Sequence, residues 1–236
     1  MKTKIAAIAI IIISTNAFAQ FNKTFGVSVN AVYNTSASIY LSPNSSDVIL
    51  RNNSFLIENI FNPAVDFRYK MSESIVVGFN TEYMTSTSIG PNLTVFLGNS
   101  TVTIDVEDGF RLIPLELSAY YLLPFSTERF KFLMGGGMGF YIGSHIRKFV
   151  DVEVSNAERK TAYGIHVSIS MDYLIKDFIS VRSEMKFRDP QFTVKSKYSK
   201  KEVNYNGNVI RLAQDSFDSK INVDGVTFIL GFAFHF

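Results

Sequence analysis

The pair His166 and Ser168 is the part of this sequence that comes nearest to a catalytic arrangement. In an extended chain, residues two apart lie on one face, so the imidazole and the hydroxyl would be neighbours. A serine becomes a nucleophile when a histidine accepts its proton and an acid orients the histidine, and Asp172 and Glu184 are candidates for the acid. The alternative, which we favour, is a histidine held by hydrogen bonds inside a packed interior.

Ten charged residues in similar segments form a second candidate site. They alternate with apolar residues, and the acidic and basic members are equal in number: Asp66, Glu82, Glu116, Asp172 and Glu184 against Arg68, Lys131, Arg182, Lys186 and Arg188. Buried charges persist when they are paired. We therefore expect one polar network, which includes His166, to fill the interior of the protein. A gated polar pore is the alternative.

The elements that carry these residues alternate between apolar and polar side chains with a period of two, as β-strands do. The segment 226–236 is the clearest example, because Phe232, Phe234 and Phe236 share an apolar face opposite Gly231, Ala233 and His235. The same alternation predicts eight strands, over residues 24–34, 61–69, 75–85, 110–121, 130–142, 162–173, 178–188 and 221–236.

Short and long connections alternate between the predicted strands. Three are tight turns, and the four long ones cover about 35–60, 86–109, 143–161 and 189–220. The long connections contain turn signals flanked by strand-like residues: Ser42-Pro43-Asn44, Gly98-Asn99 and Asn206-Gly207. We expect the strands to continue into these long connections, turn there and form a protruding β-sheet.

The apolar face of these strands is predicted to meet lipid. An eight-stranded barrel has an interior just wide enough to be filled by side chains, and it could not hold so many Phe, Tyr and Ile residues. The sequence has 22 Phe and 11 Tyr but no Trp and no Cys, so disulfides and thiolate metal sites are excluded. A chain that spans lipid with strands must close into a barrel, because every backbone polar group needs a partner.

Residues 1–19 resemble a secretory signal peptide. Lys2 and Lys4 precede the apolar run Ile5–Ile13, and Ala17-Phe18-Ala19 forms a small-x-small cleavage site. We predict that residues 1–19 are removed and that residues 20–236 form one barrel domain. Without these two lysines the formal net charge of +2 becomes zero, and nothing in the composition suggests a nucleic-acid partner.

The whole predicted domain resembles the small eight-stranded bacterial outer-membrane β-barrels, namely the OmpX-like, OmpW-like and OmpA transmembrane-domain families. The resemblance rests on the terminal strand ending in Phe236 and on the segments Ile113–Tyr121 and Phe132–Tyr141. It implies an up-and-down antiparallel transmembrane barrel in the outer membrane of a Gram-negative bacterium, with long extracellular loops. It also implies that Phe232, Phe234 and Phe236 are read by the barrel-assembly machinery.

Two further segments have simple interpretations. Gly135-Gly136-Gly137-Met138-Gly139 lies within a predicted strand with no helix after it, so it is not a phosphate loop. We expect its glycines to make room for bulky interior side chains. Lys195, Lys197, Lys200 and Lys201 make the last long connection basic, which predicts either a solvated loop or contact with lipopolysaccharide phosphates.

Three functions follow as hypotheses, because a fold alone does not imply a function. We favour a non-enzymatic, monomeric barrel without a cofactor, whose protruding strands offer edges to an extracellular protein partner. The second hypothesis is an OmpW-like transporter of small solutes, which predicts an apolar pocket at the outer end and a lateral opening. The third is a lipid A-modifying enzyme, although the residues around His166 lack the rest of the deacylase signature.

Overall fold

The computed structural model describes residues 23–97, 100–159, 161–205, 207–212 and 214–236, so the predicted signal peptide lies outside the described residues. It contains one short helix, α1 (Val48–Asn52), and fourteen strands: β1 (Phe25–Tyr40), β2 (Ser54–Lys70), β3 (Ile75–Glu82), β4 (Met84–Leu97), β5 (Ser100–Leu122), β6 (Phe130–Phe149), β7 (Val152–Arg159), β8 (Ala162–Lys176), β9 (Ile179–Arg188), β10 (Gln191–Tyr198), β11 (Glu202–Tyr205), β12 (Asn208–Arg211), β13 (Ser216–Asn222) and β14 (Val226–His235).

Eight of these strands pair in a ring. β1 is followed by β2, β3, β5, β6, β8, β9 and β14, and β14 pairs with β1 again. Every pairing is antiparallel, as in an up-and-down barrel. Short turns join the strands at one end, which we call the turn end, and the longer connections lie at the hairpin end. The predicted eight-stranded architecture is confirmed. Among the described residues, no helix is long and apolar enough to cross a membrane.

The part of the molecule that is formed by the ring of eight strands, which we call the barrel half, is apolar outside and polar inside. Phe61 and Ile165 expose 71% and 75% of their surface outward, whereas Glu116 and Arg182 are buried in the interior. A water-soluble β-barrel has the opposite arrangement, with its apolar face inward. The outward face of this half therefore matches a transmembrane barrel, whose apolar band meets lipid.

Beyond the barrel half, the strands continue as a second tier that we call the protruding half. Its order is β4, β5, β6, β7, β10, β13, β1 and β2, so the predicted protruding sheet is present. The predicted turn residues Gly98, Asn99 and Asn206 lie outside the described residues. The predicted turn at Ser42-Pro43-Asn44 is followed not by a strand but by α1, because the Asp47 carboxylate accepts a hydrogen bond from the Ile49 N–H and caps a helical turn. Hairpin β11–β12 packs on the inside of this tier.

The alternation of β1 and β2 changes phase where the two halves meet. The buried positions of β1 step from Asn34 to Ala37, and those of β2 step from Ile57 to Ile60, three residues in place of two. The irregular residue in β2 is Asn59, whose φ of 57° is a left-handed conformation that asparagine tolerates. As a result, apolar side chains turn inward in the protruding half after facing outward in the barrel half.

A seam without backbone pairing separates β2 from β4. The last backbone hydrogen bond before the seam is donated by the N–H of Tyr83, between β3 and β4, to the Pro63 carbonyl of β2, at 3.2 Å. Proline has no N–H to return a bond on that side. Beyond this point the described parts of Ser54–Ile60 and Met84–Leu97 share no ladder. The protruding half therefore has two strand edges that face each other.

We expect Val150→Asn to stabilise the hairpin of β6 and β7 by about 1 kcal/mol. Val150 lies in the two-residue turn after Phe149 with a φ of 52°, which a β-branched residue adopts only under strain. Hydrogen exchange of the amides of β6 and β7 would measure the change. As a control, Val209→Asn alters another exposed valine without a positive φ, and an equal gain there would show that strain at Val150 is not the cause.

Candidate functional site in the barrel interior

The turn-end part of the interior holds one cluster of predicted site residues. The Arg182 guanidinium donates to both carboxylate oxygens of Asp172 at 2.7 Å and to Asp66 at 2.5 Å. Arg68 donates to Asp66 at 2.9 Å and to Glu184 at 2.5 Å. All five side chains are at most 6% exposed. Two guanidinium groups thus connect three carboxylates across the lumen.

A second cluster lies nearer the hairpin end. The Lys186 ammonium donates to Glu116 at 2.6 Å, and Arg188 donates to Glu116 at 3.0 Å and to Glu82 at 2.7 Å. The Tyr141 hydroxyl also donates to Glu116, at 3.3 Å. The four charged side chains are no more than 1% exposed. Together the two clusters close the interior with paired charges, and they contain nine of the ten charged residues that we predicted.

Lys131 is the tenth of the predicted charged residues. It lies near the start of β6, pairs in register with Asp172 of β8, and lines a cavity at the turn end of the barrel. Its place in the network remains a prediction.

His166 bonds to a different serine from the one that the sequence suggested. Its Nε2 lies 2.7 Å from the Ser118 hydroxyl, whereas the described structure gives the Ser168 hydroxyl no hydrogen-bond partner. The bond crosses Gly137, which pairs with Ser118 on one side and with His166 on the other. The absence of a side chain at Gly137 leaves room for this contact, as we expected of the glycine segment. His166 and Ser118 are 2% and 3% exposed, so the arrangement favours an interior histidine over a nucleophile.

The protruding half has an apolar interior that sequence reasoning missed. One cluster of buried side chains lies next to the barrel half and includes Ile39, Met84 and Phe110. A second cluster lies farther out, where Val203 and Ile210 of the β11–β12 hairpin pack against Val106 and its neighbours. The available signal was the inward series Val102, Ile104 and Val106 on β5, which alternates with Thr103, Asp105 and Glu107.

A polar group is buried among the inward side chains of the protruding half. Nε2 of His145 lies 3.4 Å from Asp108, its Nδ1 lies 3.3 Å from the Ser196 hydroxyl, and Arg147 lies 3.7 Å from Asp108. This serine, histidine and acid have the composition of a catalytic triad, but Ser196 and Asp108 are 0% exposed and His145 is 1% exposed. A substrate could not reach the serine, so the set is better explained as interior packing.

We expect acid to loosen the protruding half. Burial lowers the pKa of His145 below its ordinary value of 6.5, although Asp108 opposes the shift. The unfolded histidine takes up a proton first, so stability is complete above about pH 6.5 and falls as the pH drops below it, by up to about 1.4 kcal/mol per pH unit. Hydrogen exchange of the outer part of β6 at several pH values would measure this loss. His145→Phe should flatten the pH dependence, and an unchanged profile would contradict the assignment.

The basic last connection is largely neutralised by acidic neighbours. Lys200 pairs with Asp151 and Lys201 pairs with Asp215. Lys195 lies between Glu158 and Asp218 on the adjacent strands β7 and β13. This arrangement favours a solvated, ion-paired surface over a free cationic patch for lipopolysaccharide. Among the described residues, no group of three or more His, Asp or Glu side chains could hold a metal ion.

The ring of eight strands, the apolar outward band and the packed polar interior define the class: this chain has the fold of the small outer-membrane β-barrel proteins. The crystal structure of outer membrane protein OprG from Pseudomonas aeruginosa is similar over 92% of this chain and 98% of that chain, with a TM-score of 0.61 and 13% identity. Neisserial surface protein A (90% and 97% covered, TM-score 0.46, 12% identity) and Ail of Yersinia pestis (91% and 99%, 0.42, 9%) are also similar. No family model and no curated protein matches the sequence.

The remaining predicted site residues lie on the outside of the barrel. Phe232, Phe234 and Phe236 alternate with buried Ala233 along and just beyond β14 and expose between 38% and 52% of their surface. This placement keeps the three rings on the lipid-facing side. Their role as an assembly signal remains a prediction, since it concerns a partner that acts during biogenesis.

Proposed function

We propose that this chain is a non-enzymatic, non-conducting barrel of a Gram-negative outer membrane, whose protruding half binds an extracellular protein partner. The observation that supports it most is the contrast between a lumen closed by buried ion pairs and a protruding half with two unpaired strand edges. An exposed edge can add a strand from another chain. In this reading the turn end faces the periplasm and the barrel acts as a monomeric anchor.

The surface beside the seam has the character of an interaction site. Leu56 on β2 and Ile89 on β4 expose 51% and 71% of their surface, and Ile49 of α1, the helix that precedes β2, exposes 80%. Exposed apolar groups outside the lipid band are typical of protein contacts. Exposed acidic residues nearby include Glu58 on β2 and Asp105 on β5, and the exposed basic neighbours are Arg51 of α1 and Arg111 of β5. The partner segment that fits best is therefore extended and apolar on one face.

Two measurements test this proposal. In a planar bilayer the refolded chain should give no stepwise conductance, because the lumen is filled. Selection of phage-displayed peptides on the chain in nanodiscs should enrich extended sequences with one apolar face. Binding of these peptides should be lost in Ile89→Lys and retained in Gln191→Lys, which changes an exposed residue on β10, away from the seam. Equal binding by both variants, or stepwise channel openings, would contradict the proposal.

A second candidate function is the uptake of small apolar solutes, favoured by the position of the seam. The buried apolar cluster of the protruding half includes Ile60 and Met84, which flank the seam just above Pro63. A solute in this cluster could leave sideways into lipid without passing the ion pairs below. This route requires β2 and β4 to separate, which their lack of backbone pairing permits.

A reversible covalent lock separates the two candidates. The register that pairs Ala64 with Glu82 would place Phe61 opposite Thr85 if it continued, and both side chains are exposed. The chain has no cysteine of its own, so Phe61→Cys with Thr85→Cys gives a clean disulfide pair. Oxidation should reduce the entry of an apolar dye into cells if the seam is the route, and a reductant should restore it. Phe61→Cys alone is the control, and unchanged entry would remove this candidate.

A further inference from the structure

The hairpin of β11 and β12 is not part of the ring of the protruding half. Its two strands form a separate sheet and pair with each other, from Glu202 with Arg211 to Tyr205 with Asn208. The hairpin follows β10 in the chain, and β12 contacts β4. Since β10 and β4 lie on opposite sides of the ring, the hairpin crosses the inside of the protruding half.

The strands of the protruding half reach different heights where the hairpin crosses. β1 ends at Tyr40, which pairs with Lys220, and Lys220 pairs with Thr193 of β10. β10 continues beyond this level to Tyr198, where it still pairs with β7. The outer part of the inward face therefore has no β1 opposite it, and the hairpin covers this part instead.

Apolar side chains hold the hairpin on this face. Val203 and Ile210, which pair across the hairpin, are 3% and 2% exposed and pack in the outer cluster with Ile104 and Val106. Val209 points to the other face of the hairpin and is 66% exposed. A two-stranded hairpin alone is marginally stable in water, so the hairpin depends on this apolar contact.

Exposed ion pairs fasten the base of the hairpin. Lys200 pairs with Asp151 in the turn between β6 and β7, and Lys201 pairs with Asp215, which precedes β13. Exposed ion pairs contribute little to stability. Among the described residues, no backbone hydrogen bond joins β11 or β12 to a strand of the ring. The hairpin can therefore move away as a unit while every strand pairing of the ring is kept.

A polar layer lies beneath the outer cluster. On the inward face of β5, Asp108 lies between Val106 of the outer cluster and Phe110 of the cluster beside the barrel half. Asp108 contacts His145 and Arg147 of β6. The space that opens when the hairpin moves therefore has apolar walls and a polar floor, and it is separate from the cluster beside the seam.

We propose that the hairpin is a lid, and that a small apolar molecule binds to the outer cluster in the place of Val203 and Ile210. The walls that contact this molecule include Ile104, Val106 and Phe149. Apolar surface that an open lid leaves in water is unfavourable, so a molecule that covers it shifts the equilibrium toward the open state. Toluene is a suitable probe, because it has as many carbon atoms as the two side chains together. The site does not depend on the functions proposed above.

The lid is tested by the accessibility of single cysteines, since the chain has none of its own. The refolded full chain in nanodiscs is treated with a charged, water-soluble thiosulfonate reagent. Ile210→Cys on the lid and Val106→Cys beneath it should react slowly, at rates set by local opening. Leu112→Cys, equally buried on β5 but in the cluster beside the barrel half, should stay unreacted. Exposed Val209→Cys should react at once and reports the activity of the reagent.

The ion pairs at the base give a second measurement of the lid. Lys200→Gln combined with Lys201→Gln should raise the reaction rates of Ile210→Cys and Val106→Cys about threefold. Lys148→Gln is the matched control, because it removes an exposed ion pair that does not fasten the hairpin. Gel mobility before heating reports whether each variant is folded. Equal reaction rates at Val106→Cys and Leu112→Cys would show that the reagent enters through unfolding, and this result would overturn the lid.

The binding site is tested by adding toluene near its saturation in the buffer. The two slow rates should then change in opposite directions. Ile210→Cys should react faster because the lid stays open, whereas Val106→Cys should react more slowly because toluene covers it. The rate at Val209→Cys should not change. An effect of the same sign at Ile210→Cys and Val106→Cys, or no effect at either, would overturn the binding site.

Discussion

Glu116→Gln is expected to lower the free energy of unfolding by about 3–5 kcal/mol, since removing one partner of a buried ion pair leaves the other charge uncompensated. Glu116 is 0% exposed and accepts hydrogen bonds from Lys186, Arg188 and Tyr141. Arg188 keeps Glu82 as a second partner, whereas among the described residues the ammonium of Lys186, which is itself 1% exposed, bonds to Glu116 alone. The loss of stability therefore arises mainly from the uncompensated charge of Lys186.

A double-mutant cycle tests this explanation. Lys186→Met alone should also destabilise the barrel, but combined with Glu116→Gln it should cost clearly less than the sum, because neither charge is then left without its partner. Urea unfolding in detergent micelles gives the free energies. The exposed pair Lys148 and Glu153 serves as the comparison, and Lys148→Gln should cost less than about 1 kcal/mol. Additive losses at Glu116 and Lys186 would show that the pair is not coupled.

Gly137→Ala is expected to prevent normal assembly of the barrel. A Cβ atom at this position would lie 1.9 Å from the Leu117 carbonyl oxygen and 2.8 Å from the Ser118 Cα, both of which are backbone atoms of β5. Backbone atoms cannot swing aside as a side chain can, so β5 and β6 would have to move apart. Their separation would break part of the longest run of paired residues in the ring.

The yield of folded barrel after refolding into lipid vesicles, read as the fraction with altered gel mobility before heating, measures this effect. Gly26→Ala is a suitable control, because its added Cβ would meet its nearest neighbour, the ring of His235, at 3.4 Å. We expect a folded fraction near that of the unchanged chain for Gly26→Ala and a large reduction for Gly137→Ala. Similar yields for the two variants would mean that the strands can separate locally at little cost.

The barrel half could be predicted from the sequence because its alternation is uninterrupted. Every predicted strand has an observed counterpart, and the polar positions from Asp66 to Arg188 lie on the inward face. One exception is local: the hydrogen-bond partner of His166 is Ser118 and not Ser168. Alternation identifies the face of each residue, but it does not specify which residues of non-adjacent strands meet across the lumen.

The protruding half was harder to predict because the inward face of the strands changes from polar to apolar where it begins. The strands go on, but their apolar residues now face inward, as in a water-soluble barrel. In β5 the change needs no irregularity, since Ile104 and Glu116 both lie on the inward face. In β2 it needs the left-handed residue Asn59. A single irregular residue within a loop-like stretch has no distinct signature in a sequence.

The seam was equally hard to predict, although Pro63, the residue at which the pairing ends, can be read in the sequence. The alternation places Pro63 in a strand, and the structure confirms this strand. Its missing N–H has an effect only on the side facing Tyr83, and the direction of that side depends on the register between β2 and β3. Register is a property of the folded pair and is not available from either strand alone.

In the outer-membrane setting that we propose, the phase change near Asn59 also sets how deeply the barrel sits. On the barrel side of Asn59 the outward residues of β2 are apolar, whereas on the other side they include the charged residue Glu58. If the barrel moved along its axis by one pair of residues, exposed Glu58 would enter the hydrocarbon layer or Phe61 would enter water. The position of Asn59 therefore fixes the height of the barrel relative to the lipid, and the height of the seam follows from it.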